Sequence, residues 1–256
     1  MKSALFTISI DDGHPLDLKI AELLKRYDIP ATFYIPHKNS EGHPVLQTSA
    51  LCELAKYFEI GSHTLDHKAL THLTDKQAWE QIIQGKQELE DRIGYAIQGF
   101  SYPLGEQNPV HRKMVQTAGF HYARTTNNLH LQTGDDCYAL PTTVQFFPHQ
   151  RQVLLRNYFK QGELSQRYPA FKICMNNACI LDRVTRLFDY ALHEHQVFHL
   201  WCHSLDLEKY NLWSMLDSIC RHIAEKTQPE QRVTNFKLTQ LMSSSPKSHE
   251  SNTEFA

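Results

Sequence analysis

No stretch of the sequence approaches the roughly 18–20 consecutive apolar residues that a membrane-crossing helix needs, so no membrane span is expected. Neither sign of charge is in excess: 26 Lys and Arg stand against 28 Asp and Glu, a formal net charge of −2. So balanced a chain offers no basic field to nucleic acid or to an anionic membrane surface, and neither partner is expected. The six cysteines form no CxxC pair and follow no regular spacing. This argues against a disulfide framework or a cysteine-ligated zinc, and they read as reduced, mostly buried thiols. Residues 1–10 carry only a short apolar run, broken by Thr7 and Ser9, too little for a secretory leader. A cytoplasmic location is the expectation. What the chain does have is histidine, 16 copies in 256 residues, the side chain most used as a metal ligand and as an acid or base near neutral pH.

Hydrophobic residues make up 41% and charged residues 21%, a globular composition able to bury a large core. Short β-rich runs at 5–10, 32–35, 58–62, 99–102, 121–125, 143–147 and 197–202 alternate with helical periodicity at 18–27, 79–93, 110–118, 153–159, 181–193 and 212–226. Thr74 with Gln77 supplies a capping box for the second helix, and Gly119 ends the third. Alternating strands and helices imply crossover connections and a parallel sheet. About seven such units without a Pro/Gly-rich linker predict a single-domain α/β barrel of the TIM-barrel type over residues 1–240. The polar tail, 241–256, is expected to be disordered.

Three constellations carry chemistry. Asp11 and Asp12 follow the first strand directly; Asp-Asp-Gly is a common turn, but adjacent acids at a strand's carboxyl end repel unless a cation lies between them. His63 and His67, four apart after the third strand, would share one face of a helical turn and reach the same ion. With Asp12 they make a two-histidine, one-carboxylate ligand set that leaves coordination positions open, the mark of a catalytic ion. The last strand ends in His203, read as a general acid, while His199 within it reads as a core histidine bonded to a carbonyl.

SIDDG (9–13), HTLDH (63–67), FSYPLG (100–105) and HLWCHS (199–204), in this order, resemble the motifs of the polysaccharide deacetylases, carbohydrate esterase family four, over residues 5–240. The resemblance implies a distorted (β/α)7 barrel that hydrolyses acetyl or related acyl groups from amino sugars with a divalent metal. Zinc is the first expectation, with Co2+, Ni2+, Mn2+ or Fe2+ as alternatives. It further implies Asp11 as base, Asp12, His63 and His67 as metal ligands, His203 as acid, and the backbone N–H of Leu104 as an oxyanion donor. The third motif departs from the family, which has an arginine where this chain has Ser101; Arg124, at the end of the fifth strand, is the expected substitute. Tyr102, Trp201 and Leu205 are candidates for an apolar sugar platform, and Trp213 reads as core packing. His14 and His37 are candidate rim residues. The expected substrate is a small molecule or oligosaccharide, and the sequence carries no signature of oligomeric state. Two other classes fit parts of the pattern: a non-catalytic carbohydrate-binding relative lacking the third-motif arginine, and a non-haem iron oxygenase using the same triad.

Overall fold

The computed structural model describes residues 3–243. Seven strands appear among them: β1 (Leu5–Asp11), β2 (Thr32–Ile35), β3 (Glu59–Ser62), β4 (Gly99–Ser101), β5 (Tyr122–Arg124), β6 (Val144–Gln145) and β7 (Val197–Cys202). The helices are α1 (Asp17–Arg26), α2 (Thr48–Ala55), α3 (Asp75–Ile93), α4 (Pro109–Thr117), α5 (Arg151–Lys160), α6 (Leu164–Asn176), α7 (Ile180–His193), α8 (Ser204–Lys209), α9 (Trp213–Lys226) and α10 (Asn235–Ser243). The strands form one sheet in the order β5-β4-β3-β2-β1-β7-β6, and every pairing is parallel. The sheet curls into a distorted (β/α)7 barrel. Its gap is spanned by Leu140, which accepts from Thr125 N–H and donates to the Ala123 carbonyl, both at 2.9 Å.

All seven expected strands are present, with β5 and β6 shorter than their β-rich runs. The capping box on α3 is formed as read. Helices α2, α6, α8 and α10 were not anticipated. α6 carries Pro169 in its interior, and α8 spans only six residues, too short for a periodic signal. Residues 241–243 are the last turn of α10, and the rest of the expected disordered tail lies outside the described residues.

Both faces of the sheet are buried, the normal state of a parallel sheet covered by helices. Phe6, Ile8 and Ile10 of β1 pack in the hydrophobic core, while the alternate residues Thr7, Ser9 and Asp11 form a buried polar face. That face is satisfied by hydrogen bonds, as a buried polar layer must be. Ser9 Oγ lies 2.9 Å from His199 Nε2, and Thr7 donates to Asn235 Oδ1 at 2.7 Å. Asn235 donates to Tyr34 Oη at 2.8 Å, which donates to Tyr122 Oη at 2.9 Å. Tyr34 fits because Gly61 on β3 has no side chain; a Cβ there would fall on its ring.

Parallel strands bring all their carboxyl ends to one rim, so Asp11, Ser62, Ser101, Arg124 and Cys202 finish together. The loop after β3 is held from outside by α3. Leu65 N–H donates to the Gln81 carbonyl at 3.0 Å, and the Gln81 carboxamide both accepts from Asp66 N–H and donates to Asp66 Oδ2, each at 2.9 Å. Gly85, one turn on, permits this contact: a Cβ there would stand 2.6 Å from Leu65 N and Thr64 C. Because backbone cannot give way as a flexible side chain can, Gly85→Ala is expected to destabilise by about 1–3 kcal/mol. Thermal unfolding checks this through a Tm lowered by several degrees.

Candidate metal centre and proton-transfer site

Around the rim, three groups of side chains meet in one cavity of about 990 Å³. The first group is Asp12, His63 and His67, whose potential ligand atoms all lie within 4.8 Å of one another. Asp12 Oδ1 is 3.1 Å from His67 Nε2 and 3.7 Å from His63 Nε2, yet it is buried with no hydrogen-bond partner. A buried carboxylate oxygen aimed at two imidazole nitrogens without a hydrogen bond is an arrangement that a divalent cation would satisfy. His63 Nδ1 lies 2.8 Å from the Ser101 carbonyl; a carbonyl only accepts, so Nδ1 carries the proton and Nε2 keeps its lone pair toward Asp12. Burial pushes the His63 pKa down to about 4, so the ring is neutral at pH 7, as a ligand must be.

The histidines do not share a helical turn, as their spacing had suggested. Residues 63–67 form an irregular segment that bends at 65–66, with Thr64 at φ 66° and His67 at φ 56°. The left-handed residues, with α3 clamping the loop, turn both rings to the same point. Asp12 (φ 80°) and Leu104 (φ 59°) are left-handed too, so four sterically disfavoured residues gather at this one rim.

The second group is Asp11 with Arg124. Arg124 is fully buried and makes a close ion pair with the Asp11 carboxylate. Its guanidinium is flanked by the rings of Tyr34 and Trp201, with centroids 5.2 and 5.1 Å away, contacts that suit a desolvated cation. Burial alone would raise the Asp11 pKa, but the charges of Arg124, His63 and His203 outweigh it and hold the carboxyl below its usual range. The β4–β5 register pairs Ser101 with Arg124. The arginine thus stands one strand over, at the level of the position the third motif would give it.

The third group is His203 with Asp206, 2.9 Å from Nδ1 to Oδ2. Burial would depress the His203 pKa, but the Asp206 hydrogen bond and the nearby Asp12 and Asp11 carboxylates overcome it and raise the pKa to about 9. His203 is therefore an imidazolium at neutral pH, able to give up a proton.

Leu104, Trp201 and Leu205 line the cavity. Tyr102 does not: it is fully buried, packs on Phe100 at 5.2 Å between ring centroids, and donates to the Tyr138 carbonyl. Just beyond β4 its side chain falls on the helix-facing side, so it is a core residue and not a sugar platform. Trp213 packs partly buried against the core, as read. His199 is a core histidine 3.2 Å from the Pro141 carbonyl. His14 accepts from Leu16 N–H, and His37 lines a separate cavity of about 290 Å³ behind the 63–67 loop; neither lines the main one. Sequence reasoning missed Asp206, Gln81 and Gly85. Only Asp206 carried a signal, its three-residue spacing from His203.

Residues 2–123 match the family model described as Polysaccharide deacetylase. The chain is 31% identical over 101 residues to a peptidoglycan-N-acetylglucosamine deacetylase of Bacillus cereus, covering 39% of this chain and 36% of that protein. It is 27% identical over 135 residues to YxkH of Bacillus subtilis, covering 52% of this chain and 48% of that protein. The matched regions thus span less than half the length of these relatives. Among solved structures, a mutant of the peptidoglycan deacetylase PdaC of Bacillus subtilis superposes with a TM-score of 0.58 at 18% identity, over 93% of this chain and 91% of that one. At that identity it speaks for the barrel fold.

Because the raised His203 pKa depends on its aspartate, Asp206→Asn is expected to lower the His203 titration midpoint from about 9 toward the ordinary 6.5. The sign follows from linkage: this ion pair stabilises the native state fully below pH 6.5 and is lost as pH rises through about 9. An NMR titration of the metal-free protein reads the midpoint, and an unchanged value would mean that Asp206 does not hold the proton.

Proposed function

We propose, from the match of residues 2–123 to the polysaccharide deacetylase family model, that the chain is a divalent-metal-dependent hydrolase that removes an acetyl or formyl group from the nitrogen of an amino sugar. The observation that carries this reading is the meeting, in one cavity, of three separately wired groups: a ligand set, a carboxylate kept ionised, and an imidazole kept protonated.

Asp12, His63 and His67 would hold the ion, and their two nitrogens and one oxygen suit zinc first among Zn2+, Co2+, Ni2+, Mn2+ and Fe2+. Such an ion contributes Lewis acidity toward an acyl carbonyl and acidifies water. Asp11, ionised at neutral pH beside Arg124, accepts the proton of the attacking water. Leu104 lines the same cavity, and its backbone N–H is the donor proposed for the oxyanion of the tetrahedral adduct. His203, oriented through Nδ1 by Asp206, donates from Nε2 to the departing nitrogen, which otherwise leaves poorly as an anion. The wiring of Asp11 and His203 also speaks against a pocket that binds without turnover. A pure binding site has no need for two neighbouring groups driven to opposite protonation states.

Chelator-treated protein reloaded with zinc is expected to release acetate or formate from members of a panel of N-acetyl and N-formyl amino sugars, and chelation alone should abolish release. Asp11→Asn should lower kcat at least about 100-fold, the usual scale of a lost general base. No release from any member of the panel would overturn the hydrolase reading, and release unaffected by Asp11→Asn would remove the base. Arg124 lowers the Asp11 pKa, so Arg124→Gln should move the acidic limb of kcat/KM to higher pH, whereas Arg124→Lys, which keeps the charge, should move it less. An acidic limb identical to that of the unaltered protein in both variants would sink the arginine's role.

A further inference from the structure

The cavity has a second wall, built from the segment after β5 and the end of α5, that takes no part in the chemistry above. Behind it lies Arg167 of α6, fully buried and in no ion pair among the described residues. Its guanidinium donates to the backbone carbonyls of Asn128 (2.8 Å), Tyr158 (2.9 Å), Gly162 (2.7 Å) and Asn157 (3.3 Å). It also donates to two carboxamide oxygens, Asn128 Oδ1 at 3.2 Å and Gln161 Oε1 at 3.0 Å. The latter accepts Asn128 N–H as well, at 3.0 Å.

Arginine has donors only, so the atom each carboxamide turns toward it must be its oxygen. That decides the orientation of both amides. Their oxygens are committed to Arg167, and the groups that remain, Asn128 Nδ2 and Gln161 Nε2, are donors. Both residues line the cavity together with Lys160, a further donor and a cation without an ion pair among the described residues. The cavity's carboxylates, Asp11, Asp12, Glu41, Glu106 and Asp206, stand elsewhere, at the end of β1, on α8 and on the segments after β1, β2 and β4. Glu163, the acid nearest in sequence, is 3.5 Å from His130 and does not line the cavity. Beside Asn127 and Asn157, the second wall thus offers three donors with fixed polarity, Asn128 Nδ2, Gln161 Nε2 and Lys160 Nζ, and is backed by the buried Arg167 guanidinium, which feels the charge of Glu163 without an ion pair to it.

We infer that this wall binds an anionic substituent of the substrate, a phosphate or carboxylate carried by the sugar, with Asn128, Lys160 and Gln161 as its contacts and Arg167 as the positioning residue that aims the amides. Phosphate and carboxylate oxygens are acceptors throughout, the complement of such a surface. The inference rests on the deacylase reading and narrows its substrate from amino sugars in general to acidic ones.

The test is binding, read by calorimetry on the full chain as Asp11→Asn, so that turnover does not intervene. The ligands are N-acetylglucosamine, its 1- and 6-phosphates, and N-acetylmuramic acid. At low salt at least one acidic sugar is expected to bind about 10-fold tighter than N-acetylglucosamine, the scale of one charge-assisted contact pair. That preference should fall to within about twofold in both Lys160→Met and Gln161→Glu. A phosphorylated sugar as the preferred ligand assigns phosphate, and N-acetylmuramic acid assigns carboxylate. Neutral and acidic sugars binding alike, or a preference that survives in both variants, overturns the inference. Arg167→Lys should weaken the preference too, but its burial makes it a risk to folding, so the two exposed-wall variants decide. Because binding is measured without turnover, absence of acyl release would count against the deacylase reading alone, and equal binding against the anion wall alone.

Discussion

A carboxylate sealed at the end of a barrel strand keeps its charge only if a cation is sealed in beside it, and the Asp11–Arg124 pair meets that requirement. Much of the interior is arranged around it. Tyr34 and Trp201 flank the guanidinium, and Tyr34 is held by Asn235 and Tyr122. Gly61 clears space for the Tyr34 ring, and Arg124 pairs in register with Ser101 on β4. Removing one partner of such a pair strands a buried charge, typically at about 3–5 kcal/mol, so the pair couples the integrity of the fold to the state of the site.

Two adjacent aspartates thus acquire different tasks through different neighbours. Asp11 faces a fixed, permanent cation. Asp12 faces two imidazoles and keeps one oxygen without a hydrogen bond, open to an ion. His203, within the field of both carboxylates and held by Asp206, is pushed the opposite way to His63, whose burial keeps it neutral. Identical side-chain types are separated by environment into neutral and charged imidazoles, the separation that the proposed acid and base chemistry at one pH requires.

Much of this was legible in the sequence, because strand-helix alternation and motif position are local signals. The parallel barrel, the meeting of Asp12, His63 and His67, the place of His203 at the rim and the pairing of Arg124 with Asp11 could all be expected from residue type and place. The misreadings share a cause. Tyr102 was judged by its chemistry without knowing which side of the sheet it takes, and a shift of one residue reverses that side. The HTLDH spacing suggested a helical turn, yet the convergence of its histidines comes from left-handed backbone held by Gln81 and Gly85 of α3, a contact between segments that no local pattern encodes. The oriented donors of the second wall were invisible for the same reason: Asn128, Lys160 and Gln161 are ordinary polar residues until Arg167 orients two of them.

The sequence by itself determined the seven strands and the longer periodic helices, their parallel arrangement and the kinds of side chain at the strand ends, since apolar periodicity and residue chemistry are properties of short stretches. Only the tertiary structure decided which groups meet: that Arg124 lies level with Ser101 across β4 and β5, that Asp206 reaches His203, and that amides from two segments share one arginine. The protonation states follow from those meetings, and so does the proposed binding preference. Electrostatic and hydrogen-bond energies depend on distances of a few ångströms between residues far apart in the chain, and those distances come into being only when the barrel closes.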